Sequence, residues 1–277
     1  MKDSQNHLLI CPKNDEESLM ILKIAKKIKL PTIVSKQPHG AKLSREKNLL
    51  KQIKKTAPEA KKVFIVEIPG LKEEKTLGEA GFKVVIIDHH RYGELDRMKK
   101  KSSLEQFLTA FKITPKDLEK LGFDSTLVAG VAAMDRGFIW ELKKQKLSTK
   151  DFKRVLEFYR ELTLEVEGKR RLKEETAAKK AWDKREEKDG VIIVSSQDDT
   201  ISLRDSISFL VAETYSKSMP VLIIQGKRRI YFQDTKRTTK LLKKFGGFTF
   251  GGDKCWGILK EDKDLPGIEE ILAVIKK

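Results

Sequence analysis

A chain of 277 residues is long enough for two domains, and 39% hydrophobic against 36% charged residues makes it globular but heavily charged. No apolar run approaches the ~20 residues that cross a bilayer, Met1–His7 is polar and Leu8–Cys11 is too short for a signal-peptide core; with only two cysteines, Cys11 and Cys255, a soluble cytoplasmic protein without a disulfide framework is expected. The net charge of +17 points to a polyanionic partner such as nucleic acid or a short piece of it, because clustered Lys and Arg release counterions from phosphates; the alternative is a heat-adapted, Lys- and Glu-rich surface, which alone would not leave the balance so one-sided.

In chain order, the first half alternates strands and helices. His7–Cys11 reads as a buried strand, Glu17–Lys29 as a helix with Leu19, Leu22, Ala25 and Ile28 near helical spacing, and Thr32–Ser35 as a strand. Leu43–Lys55 reads as a helix, Val63–Ile68 as a strand ended by Pro69-Gly70, and Lys83–Ile87 as another strand. Apolar strands between amphipathic helices predict a parallel, doubly wound α/β sheet. Leu104–Leu121 is helical with a break at Thr114-Pro115, and Ser125–Met134 is a helix of small residues suited to close packing. Ser148–Lys188 reads as almost entirely helical, its mixed charges suggesting a solvated connector. A second, smaller α/β unit begins at Gly190, with strands Val191–Ser195, Val221–Gln225 and Ile230–Gln233, a helix Ser206–Tyr215, and a basic helix Thr235–Phe245 running into Gly246-Gly247. The expected division is 1–147, a connector 148–189, and 190–277.

Chemistry gathers where elements end. Asp88-His89-His90 follows directly on a strand, where parallel sheets bind ligands, and these are two of only four histidines. The alternative is a turn whose Asp caps a helix beside incidental histidines. Asp15 and Glu17 follow the first strand and open a helix, a place where acids also simply favour the macrodipole. Glu67 lies near the end of an apolar strand, where a buried carboxylate needs a partner. Asp135 follows the small-residue helix, an end the dipole makes unfavourable for an acid. Carboxylates with imidazole favour manganese, iron or zinc, and a pair of such ions would clamp both oxygens of a phosphoryl transfer.

On these residues the chain resembles the DHH phosphoesterases: RecJ-type exonucleases, nanoRNase-type oligoribonucleases, cyclic-dinucleotide phosphodiesterases and related pyrophosphatases. Asp88-His89-His90 matches the name-giving motif in full. Cys11-Pro12-Lys13-Asn14-Asp15-Glu16-Glu17-Ser18 resembles the opening motif, with Cys11 at the family's His and Glu17 at its second Asp. Glu67 corresponds to an isolated strand-end Asp, and Asp135 to the last ligand Asp. Gly246-Gly247-Phe248-Thr249-Phe250-Gly251-Gly252 resembles the family's Gly-Gly-His loop, with Phe248 at the His that helps hold the substrate phosphate.

The resemblance implies a DHH-type sheet domain, a C-terminal substrate domain and a cleft between them. It implies metal ligands Cys11, Asp15, Glu17, Glu67, His89 and Asp135, catalytic roles for Asp88, His89 and His90, and substrate contacts from His90, Gly246, Gly247 and Phe248; Lys13 beside the site would repel one cation or grip a phosphate. The better-equipped metal position would use Glu17, Glu67, His89 and Asp135; the poorer would use Cys11, Asp15 and a shared Glu67. Cys11 can be read as a thiolate ligand favouring zinc or as an inert buried thiol. Phe248 and Phe250 can be read as a base-stacking platform or as interface packing. The basic stretches Lys227–Arg229 and Lys236–Lys244 can face phosphates or water. The expected function is metal-dependent hydrolysis of short oligonucleotides or single-stranded nucleic acid, with Mn(2+) as cofactor and Zn(2+) or Mg(2+) as substitutes, no membrane and a homodimer as one assembly. The alternative function is a degraded DHH protein that binds nucleic acid or a replication or repair partner. A pyrophosphatase-like enzyme is disfavoured by the basic charge.

Overall fold

The computed structural model describes residues 6–92, 95–215, 217–250, 254–259 and 265–276. The chain divides into two compact units, Met1–Arg136 with Gln145–Val166, and Gly137–Lys144 with Glu167–Lys277.

Unit 1 begins with β1 (His7–Pro12), α1 (Glu16–Lys27), β2 (Thr32–Ser35), a 3-10 turn at Leu43–Arg45, α2 (Leu49–Thr56), β3 (Lys62–Val66), α3 (Leu71–Glu79) and β4 (Lys83–Ile87). The four strands form one parallel sheet in the order β2-β1-β3-β4. Period-two alternation packs both faces. Leu9, Cys11, Phe64 and Val66 face the helix α1 side, whereas Leu8, Ile10, Val63 and Ile65 face the side of α2 and α3. The chain passes from β1 to β2 on one side and then returns to β3 on the other. That reversal puts a topological switch point between the carboxyl ends of β1 and β3, the place where such sheets bind ligands.

A short hairpin, β5 (Arg91–Tyr92) and β6 (Leu95–Asp96), precedes α4 (Ser103–Ala110), α5 (Pro115–Lys120), α6 (Ser125–Lys144) and α7 (Thr149–Glu167). Gly130 lets α6 approach α7: a Cβ there would lie 2.3 Å from Cγ1 of buried Val155. α6 is broken at Phe138, whose φ of 57° is left-handed, and its last part, Gly137–Lys144, belongs to unit 2.

Unit 2 contains α8 (Lys169–Trp182), β7 (Glu186–Lys188), β8 (Val191–Ser196), α9 (Arg204–Tyr215), β9 (Val221–Gln225), β10 (Arg229–Gln233), α10 (Thr238–Phe245), β11 (Phe248–Phe250), β12 (Cys255–Leu259) and α11 (Ile268–Lys276). Its mixed sheet runs β11-β12-β10-β9-β8-β7, with only β8 and β9 parallel. One face packs on α8 and α9 through Ile192, Val194, Ile223 and Tyr231, the other on α10 and α11 through Leu222, Phe232 and Trp256.

The expected α/β class holds, and several boundaries differ for local reasons. The Leu43–Lys55 helix is split because Asn48 turns left-handed at φ 54°. The strand expected to reach Ile68 ends at Val66, because Glu67 also turns left-handed. Asp135 lies within α6 instead of after it. The expected connector is two helices, α7 in unit 1 and α8 in unit 2, separated by Gly168 at φ 60°. Among the described residues no helix is long and apolar enough to cross a membrane.

Candidate metal centre

Four side chains from four segments meet at the carboxyl edge of the parallel sheet: ligand atoms of Glu17, Glu67, His89 and Asp135 all lie within 4.8 Å of one another. Each is placed by its own element. Glu17 stands in the first turn of α1 and is 2% exposed; its Oε1 accepts from the Leu104 amide at 2.8 Å and its Oε2 from the Ser103 amide at 3.2 Å. Those are free N–H groups of α4's first turn, a position that favours an anion. Glu67 follows β3 with φ 50°, a backbone state that costs about 1–3 kcal/mol in a non-glycine residue and persists where surroundings enforce it. His89 follows β4, and Asp135 comes from α6.

Asp88, buried completely, organises the neighbouring turn. Its Oδ1 accepts from the His90 amide at 3.0 Å and from Tyr92 Oη at 3.3 Å, and lies 3.3 Å from His90 Nδ1. Arg97 Nη1 stands 3.7 Å from Asp88 Oδ2, while Arg97 Nη2 bonds Glu74 on α3. Gln106 of α4 donates to the Asp88 carbonyl at 3.0 Å. The sequence reading missed Arg97, Glu74, Tyr92, Gln106 and the Ser103 and Leu104 amides. Only the amides had a legible signal: Ser102-Ser103-Leu104-Glu105 is a capping box, which marks a helix N-terminus.

The four donors fit a divalent cation by two observations. His89 Nε2 lies 2.8 Å from Asp135 Oδ2 and 3.4 Å from Glu67 Oε1, yet none of these three buried atoms has a hydrogen-bond partner. They are close together but misaligned for bonding one another, as donors aimed at a common point are. The second observation is charge. Burial, followed by the Asp135 and Glu67 carboxylates, pushes Glu17 well up. Burial and then Glu67 push Asp15 up to about 7, against the Ser18 bonds that lower it. Burial opposes protonation of His89, but Asp135 and Glu67 raise it to about 10. Burial works against the Glu67 anion too, and the two histidines still hold it below its ordinary value. Without a cation, this edge must retain protons to offset its carboxylates. One imidazole with three carboxylates suits manganese, iron or zinc.

Of the expected ligands, Cys11 and Asp15 do not join this group, whereas His90, expected in a catalytic and substrate role, forms a second group of possible ligand atoms with Glu67 and His89. Cys11 is fully buried in the core; its Sγ faces the carbonyls of Pro12 at 3.4 Å and Ser18 at 3.7 Å, and burial pushes its thiol well up. Asp15 caps α1, its Oδ1 accepting from the Ser18 amide at 2.7 Å. His90 is half-exposed, with Nδ1 toward Asp88 and Glu67 (3.6 Å); although burial opposes it, Asp88 foremost raises its pKa. Lys13 is exposed, its Nζ 4.0 Å from Glu165.

The glycine-rich segment lies in unit 2. Gly246 and Gly247 have φ 75° and 89°, and a Cβ on Gly247 would meet the Gly257 carbonyl oxygen at 2.2 Å. The Gly246 carbonyl accepts from Trp256 Nε1 at 2.8 Å. Phe248, 38% exposed, lies over Gly257 in the strand pair β11–β12. Gly251 and Gly252 lie outside the described residues, as does the side chain of Phe250.

No family model matches the chain, and no curated protein matches it. Among solved structures, an exonuclease RecJ bound to manganese is similar over 98% of this chain and 88% of its own, at 12% identity and a TM-score of 0.42. The pGpG-specific phosphodiesterase PggH of Vibrio cholerae is similar over 98% of this chain and 96% of its own, at 13% identity and a TM-score of 0.48. An exopolyphosphatase-related protein of Bacteroides fragilis is similar over 98% and 90%, at 13% identity and a TM-score of 0.45. At that distance the likeness transfers no activity, substrate or ligand to this chain.

Proposed function

We propose that the chain is a metal-dependent phosphoesterase of the DHH type that hydrolyses short oligonucleotides or single-stranded nucleic acid. The observation that carries this reading is the meeting of Glu17, Glu67, His89 and Asp135 at the sheet's switch point, with buried ligand atoms that approach one another without hydrogen-bonding. These four hold the cation, with manganese the first choice and zinc or magnesium as substitutes. When bound, a divalent ion supplies Lewis acidity toward a phosphoryl oxygen and toward the attacking water. Asp88, anchored by Arg97, orients His90 through Nδ1 and leaves the other ring nitrogen for a phosphate oxygen. The raised pKa of His90 favours the protonated ring that an anionic phosphate prefers. The +17 charge supports a polyanionic substrate, for which Lys13 and the glycine-rich Gly246-Gly247-Phe248 segment are the proposed contacts. Both cysteines are unpaired, which suits a reducing compartment such as the cytoplasm.

A second reading is a degraded relative that binds nucleic acid or a replication or repair partner without cleaving it. Phe248 favours it, since a benzyl ring stands where phosphate binding wants an imidazole. The deciding assay is manganese- and zinc-dependent turnover of oligonucleotides, cyclic dinucleotides and a generic phosphodiester, beside binding of single-stranded nucleic acid at two salt concentrations. Turnover that is abolished by Asp88→Ala with His89→Ala supports the enzyme. Salt-sensitive binding without turnover at any metal supports the binder, and binding indifferent to salt removes phosphate contacts from both.

A further inference from the structure

We propose that the centre takes one divalent ion per chain, on Glu17, Glu67, His89 and Asp135, and that Cys11 and Asp15 serve the fold instead of a second ion. The inference deepens the phosphoesterase reading and rests on it.

The two halves of the sheet edge differ in what their donors already do. In the first half, Glu67 Oε1, His89 Nε2 and Asp135 Oδ2 are buried and have no hydrogen-bond partner, and Glu17 is held facing them by the α4 amides. In the second half every candidate is committed. Cys11 is part of the hydrophobic core among Leu9, Met20 and Phe64, with its sulfur turned to the Pro12 and Ser18 carbonyls. Reaching an ion at the edge would pull that side chain out of a packed environment and leave a void behind it. Asp15 uses one carboxylate oxygen as the N-cap of α1, accepting from the Ser18 amide at 2.7 Å. Among the described residues no group of three ligand atoms includes Cys11 or Asp15. A second ion on Asp15 and the shared Glu67 would find no third donor grouped with them, and the other group of three possible ligand atoms, Glu67, His89 and His90, takes two of its members from the first position. Glu67 Oε1 lies 3.4 Å from His89 Nε2, on the side of the first position. Dinuclear centres hold their ions about 3.5–4 Å apart with a bridging carboxylate, and this edge supplies the bridge without the far ligands.

Stoichiometry tests this directly on the full chain without an activity assay. Metal-stripped protein is titrated with Mn(2+) by calorimetry, the dialysed complex is analysed for metal content, and its electron paramagnetic resonance spectrum is recorded. The expected result is one ion per chain and the hyperfine pattern of an isolated Mn(2+). His89→Ala is expected to weaken binding by more than the roughly 10–100-fold that follows loss of an outer-sphere partner. Cys11→Ser is expected to leave the affinity within about threefold, as is Asp15→Asn, whose amide still caps α1. Two ions per chain, a spin-coupled pair, or a tenfold or greater loss of affinity in Asp15→Asn or Cys11→Ser overturns the one-ion centre while leaving the phosphoesterase reading intact. No ion bound to folded protein overturns that reading itself, and this inference with it.

Discussion

The carboxyl edge of β1, β3 and β4 and the Gly246–Phe248 segment of unit 2 both carry residues expected to act on a phosphate, yet they are built differently. The first is largely buried, crowded with carboxylates and left with buried ligand atoms that make no hydrogen bond. The second is glycine-rich and closed by backbone contacts, with Trp256 on the Gly246 carbonyl and Phe248 against Gly257. Desolvated polar atoms without partners are costly, so the first arrangement is retained where a ligand completes it. The second is stable as it stands, and its sequence constraints are largely steric.

The sharpest break between the two regions comes from His89→Ala. It removes the one imidazole of the cluster, and manganese affinity should fall by more than a hundredfold with oligonucleotide turnover lost, measured by calorimetry and product analysis. Retained affinity would mean that the unpartnered atoms are not a metal site.

Proton competition should give the next largest effect. His89 is raised from 6.5 to about 10 and Asp15 from 3.8 to about 7 in the metal-free chain. The stability these raised groups contribute is complete below their unfolded values; it is lost as pH rises through about 7 for Asp15 and about 10 for His89. A cation on His89 must displace its proton throughout neutral pH. Manganese affinity should therefore rise about tenfold per pH unit between roughly pH 6 and pH 8, and the metal-induced gain in Tm should grow in parallel. A flat profile would show that His89 is not a ligand.

Phe248→His tests the glycine-rich segment. An imidazole there can donate a charge-assisted hydrogen bond to phosphate, worth about 1.5–3 kcal/mol, so turnover should rise roughly ten- to hundredfold with metal affinity unchanged. No gain in a protein that binds manganese would remove this position from substrate contact.

Gly247→Ala has the smallest expected effect on the metal and a purely structural one elsewhere. The added methyl would meet the Gly257 oxygen at a backbone φ of 89°, costing about 1–3 kcal/mol of unit 2 stability while manganese affinity in unit 1 stays the same. Loss of metal binding without unfolding would contradict the division between the two regions.

The alternation that makes a parallel sheet is written in the residue order, since Leu8–Cys11, Val63–Val66 and Val84–Ile87 are apolar runs with helical patterns between them. It also marked the acids and histidines at element ends, because side chains that must reach a ligand cannot hide among core residues. Which of these meet is settled by packing between distant segments. Asp135 reaches His89 because Gly130 lets α6 pack closely on α7 and hold its carboxylate at the sheet edge, a fit that depends on Val155. Glu67 faces the cluster through a left-handed turn that no propensity favours for glutamate. Cys11 and Asp15 share a short motif with Glu17, yet their neighbours send them to the core and to a helix cap. Linear order sets which donors are available; burial, helix ends and backbone strain set where each donor points, and those arise only when distant segments pack together.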